Sequence, residues 1–309
     1  MTMAPRTFPT RRRRLAGLSL IELMVALVVG FLILTAMLTA YVSNSSSSNT
    51  SARFSEVQTN GRYAMDFMRR EIQHAGFLGL SWTSLSSDST TATTDALCGS
   101  SITITDIAKP LWASNDAKAL SCITDANYAR GDVLLLRRAD LQAASSLVAN
   151  TAYVRTEFLQ GTAFVGTSAP ATLQTPSEDY KLKADVYFVS PYTNTVGDGV
   201  PALKRATLGV GPAFTTEVVA TGIEHMQVQF GVLAAGAVTY LDASSVPASD
   251  WANVVAVRLW LLARSSDPEY GGFSNTTSYA FGDRTGTNAY APNDNYVRQL
   301  FSSVIQIRR

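Results

Sequence analysis

The chain has 309 residues, 46% of them hydrophobic and 16% charged, with a formal charge of +1. That composition fills a globular core and excludes a disordered chain. Residues 1–17 hold five arginines and no acid, and the remainder carries 20 basic against 24 acidic residues, a net of −4. A nucleic-acid binder keeps a basic face, so that class is excluded as a partner. Two histidines (His74, His225) and two cysteines (Cys98, Cys122) would all be consumed by one four-ligand metal site.

The N-terminus reads as an address followed by an anchor. Arg11 to Arg14 precede Leu15-Ala16-Gly17-Leu18-Ser19-Leu20-Ile21-Glu22, and Leu23 to Val42 then runs 20 residues without a charge. At ~1.5 Å per residue that is about 30 Å of helix, the thickness of a bilayer core. A secretory signal has a shorter apolar run and a small-residue cleavage site. The arginines hold the N-terminus in the cytoplasm, which places everything after Val42 across the membrane. Glu22 is costly inside an apolar span, roughly 2.5–3.5 kcal/mol at the centre of a helix and less near its end. Either it stays wet at the interface or a cation comes from elsewhere.

Gly17-Leu18-Ser19-Leu20-Ile21-Glu22, behind a basic leader and ahead of an apolar helix, resembles the class III signal of type IV pilins and pseudopilins. The resemblance implies cleavage after Gly17 by a prepilin peptidase and methylation of the new N-terminus, Leu18. Leu18 stands where the family usually has Phe. It also implies that Glu22 is the assembly residue, facing the α-amino group of a neighbouring subunit. At 4 Å and an effective dielectric of ~20 that attraction is about 4 kcal/mol, enough to offset the burial of the acid.

Ser43 to Ser51 is a Ser/Asn/Thr tract whose side chains compete with helical hydrogen bonds, so it reads as a break or as a weak helical stretch held by neighbours in an assembly. Phe54, Val57, Gly61, Ala64, Met68, Ile72 and Ala75 then form one stripe at helical period. Asp66 can pair with Arg69 and Arg70. His74 lies in the last turn, and Gly76 is the expected C-cap. The run from Asn60-Gly61-Arg62-Tyr63-Ala64 to Ala75-Gly76-Phe77-Leu78-Gly79 resembles the PilW group of minor pilins.

From Gly76 the period changes from 3.6 to 2. Ile102–Thr105, Asp132–Arg138, Ala152–Phe158, Ala184–Val189, the face Met226, Val228, Phe230 and Val232, the face Val255, Val257, Leu259 and Leu261, and Tyr296–Ile307 read as strands. No crossover helices separate them, so an antiparallel sheet follows. Stretches 81–96, 142–151 and 265–295 read as loops. The expected fold is α+β and pilin-like: a long N-terminal helix, membrane-spanning in its first half, packed on a mostly antiparallel head that is large enough for two subsheets. The expected division is a leader at 1–17, an assembly helix at 18–42, a break and amphipathic helix at 43–76, and a periplasmic head at 77–309. Glu224 to Gly231, Val255 to Ser265 and Tyr296 to Arg308 resemble the matching strands of the PilW group.

Cys98 and Cys122, in a chain segment placed outside the cytoplasm, are expected to form a disulfide that contributes roughly 3 kcal/mol. No nucleophile elbow, H-E-x-x-H or phosphate loop is present, so no catalytic residue, cofactor or metal is assigned. Asp198, Asp294 and Arg130-Gly131-Asp132 read as turn and strand-entry residues rather than as calcium or integrin motifs.

The resemblance implies a non-enzymatic minor pilin that primes type IV pilus assembly. Its partners would be the prepilin peptidase, the inner membrane, other minor pilins, the major pilin and, at the tip, an adhesin. The same features fit a J-type minor pseudopilin of a type II secretion system, and a periplasmic binding or adhesin head on a signal-anchor helix.

Overall fold

The computed structural model describes residues 17, 19–80, 85–87, 98, 105–210, 213–269 and 273–308. Helix α1 runs Leu20–Gln73. The strands are β1 (Leu85–Ser87), β2 (Leu111–Ser114), β3 (Arg130–Ala143), β4 (Ala152–Glu157), β5 (Gly161–Val165), β6 (Ser177–Ser190), β7 (Ala202–Leu208), β8 (Phe214–Thr221), β9 (Ile223–Ala234), β10 (Ala237–Asp242), β11 (Val254–Arg264) and β12 (Arg298–Gln306). The chain divides into two compact units, 1–49 and 50–309.

Of the two readings of 43–51 the break is corrected by the structure, because these residues are helical within α1. The hydroxyls of Thr35, Thr39 and Thr59 bond carbonyls one turn back and so leave the helical ladder intact. Thr50 at the end of the tract instead donates to Glu269, 2.9 Å away, and gains a tertiary partner.

In the second unit, α1 buries Val57, Gly61, Ala64, Met65, Met68 and Ile72, which follows the predicted stripe except at Phe54, which is exposed. Gly61 meets the ring of Phe301 on β12 so closely that a Cβ there would lie inside it. Asp66 and Arg69 pair at 3.3 Å, and His74 Nδ1 lies 2.8 Å from the Arg70 carbonyl oxygen. Gly76 takes a positive φ of 78° and donates its N–H to the Arg137 carbonyl on β3 at 2.8 Å. The chain therefore leaves the helix directly onto the sheet. The Gln73 carbonyl accepts from the Arg308 N–H at 3.0 Å, so the C-terminal segment satisfies one of the helix's last acceptors.

Two sheets form, of eight and four strands. In the larger, the order β1-β5-β4-β6-β3-β2 is extended by β7 and β8. The 14-residue β6 pairs β3 along one edge, and on the other its first part pairs β4 and its last part pairs β7. All pairings are antiparallel except β1 with β5. The four-stranded sheet has order β10-β9-β11-β12.

The uninterrupted apolar run Val133-Leu134-Leu135-Leu136 is explained by burial on both faces. Leu134 and Leu136 join the core formed with α1 and the four-stranded sheet, while Val133 and Leu135 join a second core that includes Cys98, Leu120 and Ile123. Cys98 is bonded to Cys122, with Cα atoms 4.5 Å apart. The even residues Met226 to Val232 of β9 and the odd residues Val257 to Leu261 of β11 face the first core.

β2, β5, β7, β8 and β10 were not legible as strands. β7 carries Lys204 and Arg205 among its apolar residues, and β8 is mostly polar, so neither shows a clean alternation. β1 lies inside the stretch 81–96 read as loop, and pairing with β5 makes it a strand. Ile102–Ile104 and Leu18 lie outside the described residues. Stretch 265–295 contains isolated bridges and a short turn at Gly286–Asn288 rather than strands, as expected of a loop.

Gly61→Val should destabilise the full-length protein in detergent by about 1–3 kcal/mol through overpacking against Phe301. Gly30→Ala, where nothing lies within 4 Å, should not destabilise it. Chemical unfolding curves of the two variants check the contrast.

Candidate functional site

From Leu20 to Val42 every large apolar side chain of α1 is exposed, from Val29 at 49% to Leu20 at 78%. A helix apolar on all sides needs lipid or other helices to cover it. It is long and apolar enough to cross a membrane. Glu22 is its one charged residue before Val42 and is exposed in the first turn, where a helix N-terminus favours an acid. Gly17 is exposed three residues before the helix starts, with nothing near its Cα that a side chain would meet. Gly17 and Glu22, the residues expected from the sequence to serve processing and assembly, thus lie within one short segment.

The other residues singled out in the sequence do not converge on a reaction centre. Asp198 accepts the Thr193 hydroxyl, the Val200 N–H at 2.9 Å and the Thr193 N–H at 3.0 Å, and these bonds, the hydroxyl first, hold its carboxyl below the usual range. Asp294 accepts from Arg298 at 2.7 Å and from the Tyr296 N–H at 3.1 Å. Each is the organiser of its own turn. A cavity of about 270 Å³ beside β4 and β5 contains Glu157, but that carboxylate accepts from Gln160 at 2.7 Å and the Leu173 N–H at 2.9 Å.

The tripeptide Arg130-Gly131-Asp132 joins the two sheets. Gly131 has a φ of 81°, and a Cβ on it would stand 2.5 Å from the Met226 carbonyl oxygen of β9. Only glycine permits that approach. Asp132 is buried, accepting the Asp116 N–H at 3.0 Å and the Val228 N–H at 2.7 Å. One carboxylate of the larger sheet thus satisfies a backbone donor of the smaller one. Burial pushes its carboxyl up to about 8, against the two N–H bonds and with help from the carboxylates of Asp116 and Asp283.

Beside it, a hairpin with bridges Tyr279–Tyr290 and Phe281–Arg284 covers β9. Phe281 and Tyr290 close on the His225 ring with centroids 5.1 and 5.6 Å away. Arg284 pairs with Asp116 at 2.7 Å, and Asn115 donates to Asp283 at 2.8 Å. Desolvation pushes the imidazole of His225 down to about 4; Asp116 opposes this, and the cations Arg284 and Arg130 add to it. The adjacent Glu224, also buried, accepts from Arg298 at 2.6 Å and from the Tyr290 hydroxyl at 3.1 Å, with Arg264 at 3.8 Å. The Glu224-His225 dipeptide is a structural staple. No sequence pattern singles out Asp116, Asp283 and Arg284, because Asp116 lies far along the chain from the adjacent pair Asp283-Arg284.

Residues 186–309, less than half of the chain, match the PilW family model, described as Type IV Pilus-assembly protein W. The matched region contains β7 to β12, including the Glu224 and Arg258 strands. Among curated proteins no significant match exists. Among solved structures, a type IV-like pilin from Thermus thermophilus is similar at 14% identity and a TM-score of 0.34, over 84% of this chain and 96% of that one.

The pH dependence of stability follows from the two buried groups. The folded state retains a proton on Asp132 that the unfolded chain releases near 3.8, so this contribution is lost as pH rises towards 8. The unfolded chain protonates His225 near 6.5 while the folded state waits until about 4, so its contribution is lost as pH falls through that window. Above 6.5 Asp132 acts alone. Stability should therefore fall by up to about 2 kcal/mol between pH 6.5 and 8. Asp132→Asn, uncharged throughout, should flatten that fall in denaturant titrations run at each pH.

Proposed function

We propose that the protein is a minor pilin that takes part in priming type IV pilus assembly and acts at the pilus tip. The observation that carries this reading is the apolar, all-round exposed segment Leu20–Val42, with Glu22 as its one charge, in a chain whose residues 186–309 match the PilW model.

In this reading the chain is held in the inner membrane with its N-terminus in the cytoplasm and its head in the periplasm. Prepilin peptidase cuts after Gly17 and methylates Leu18. The exposed position of Gly17 ahead of the helix supports that access. Withdrawal from lipid into a bundle of like helices covers the apolar surface again. Glu22 then neutralises the amino terminus of a neighbour, at a dielectric where the pair offsets the desolvation of the acid. The role is structural and no reaction is catalysed. Other minor pilins and the major pilin are the partners in the bundle, and an adhesin is the partner at the tip. The Cys98–Cys122 disulfide suits an oxidising compartment.

Deletion of the gene in its host should abolish surface pili and twitching while secretion of exoproteins continues. Loss of secretion with normal pili would instead make the chain a J-type pseudopilin. Glu22→Ala should leave cleavage after Gly17 intact and reduce incorporation into sheared pili. Normal incorporation of that variant would overturn the role given to Glu22, and an uncleaved wild-type chain would overturn the pilin reading itself.

A further inference from the structure

We propose that the open half of the outer face of the four-stranded sheet, centred on Arg258, docks a neighbouring pilin-type subunit that inserts a carboxylate. This inference rests on the pilin reading for the identity of the occupant.

The outer face of this sheet is built from the residues that alternate with the core positions. Register places Arg258 beside Gln229 on one side and Val304 on the other, and Trp260 between Gln227 and Ser302. The hairpin around Phe281 covers one end of this face, where His225 and Gln227 are buried. The other end is open: Val304 and Val238 are 56% and 47% exposed, and Arg258, Trp260 and Tyr240 are half-buried.

Arg258 is prepared for an anion. Its guanidinium lies 4.1 Å from the Tyr240 ring centroid and 5.8 Å from that of Trp260. Gly231 makes this possible, because a Cβ there would come within 3.3 Å of the Tyr240 ring. The polar neighbour of Arg258 is neutral Gln229, at 3.4 Å. The nearby carboxylate on this face, Asp242, accepts from Gln229 at 2.8 Å instead.

Eight arginines elsewhere among the described residues of the second unit pair with a carboxylate, namely 53, 69, 138, 155, 205, 264, 284 and 298. Among the described residues Arg258 is half-buried, stacked and without such a pair. Arg, Trp and Tyr are the residues most enriched at the energetic centres of protein interfaces. Small-molecule sites are concave, whereas this face is the open surface of a sheet, so a protein surface is the fitting occupant. Subunits already held together by their helices meet at high effective concentration, so a modest contact suffices.

The test places p-benzoylphenylalanine at Ser302, an exposed neighbour of Trp260, in the full chain expressed in its host. Photolysis should give an adduct with another pilin-type subunit, identified by mass spectrometry. Arg258→Glu should weaken the adduct by about tenfold or more, Arg258→Lys should retain most of it, and replacing the crosslinked acid of the partner by Lys should restore it in Arg258→Glu. If Arg258→Glu fails to accumulate, Val304→Asp, at an exposed position, should produce the same loss. No adduct, or one unchanged in these variants, overturns the docking face. An adduct with a protein lacking a prepilin-type helix overturns the occupant. Cleavage after Gly17 and presence in sheared pili are scored in the same cells, so a chain found in pili without the adduct sinks the docking face and leaves the pilin reading in place.

Discussion

The seating of α1 on the head turns on one missing side chain. Gly61 leaves room for the Phe301 ring, and around that contact Val57, Ala64, Met68 and Ile72 reach the seam formed with β9, β11 and β12. A glycine inside a helix costs about 1 kcal/mol relative to alanine. Here that cost is offset by the burial of an aromatic ring against the helix backbone, where apolar area gains roughly 25 cal/mol per Å². The same strand then supplies the segment whose Arg308 N–H caps the Gln73 carbonyl. The last strand of the chain therefore fixes both the middle and the end of the head-bound part of its first helix.

The two sheets are held by buried polar groups as well as by the shared core. Asp132 reaches across from the larger sheet to the Val228 N–H, and within the smaller sheet Glu224 gathers Arg298, Arg264 and Tyr290 from three different segments. Buried polar and charged groups of this kind add little net stability over an apolar core but penalise any arrangement in which a partner is missing. Through Tyr290, Glu224 holds the described 273–297 stretch over β9. That position decides which half of the sheet's outer face is closed, and leaves Arg258 uncovered on the other half.

The first unit poses the opposite problem. Leu20 to Val42 carries exposed apolar residues on every face. A single carboxylate near the start of such a helix is costly in lipid and favourable beside an amino terminus. That asymmetry is the physical basis for the assembly role proposed for this segment.

The sequence by itself determined the anchor-length apolar helix, the position of Glu22, the helical stripe from Val57 to Ala75 and the faces of β9 and β11, because each is a local periodicity. It also marked Asp132–Arg138 as a strand, while the burial of both faces of that strand emerged only from the structure. It did not reveal the helical state of 43–51, since Ser and Asn prefer turns unless a neighbour supplies another partner, as Glu269 does for Thr50. Nor did it reveal β7, β8 and β10, which owe their strand state to ladder partners rather than to their own pattern. Only the tertiary structure decided that Arg130-Gly131-Asp132 is a sheet-to-sheet joint and that Arg258 is left without a carboxylate. Both depend on residues far apart in the chain, and contact over such distances leaves no periodic trace in a single sequence.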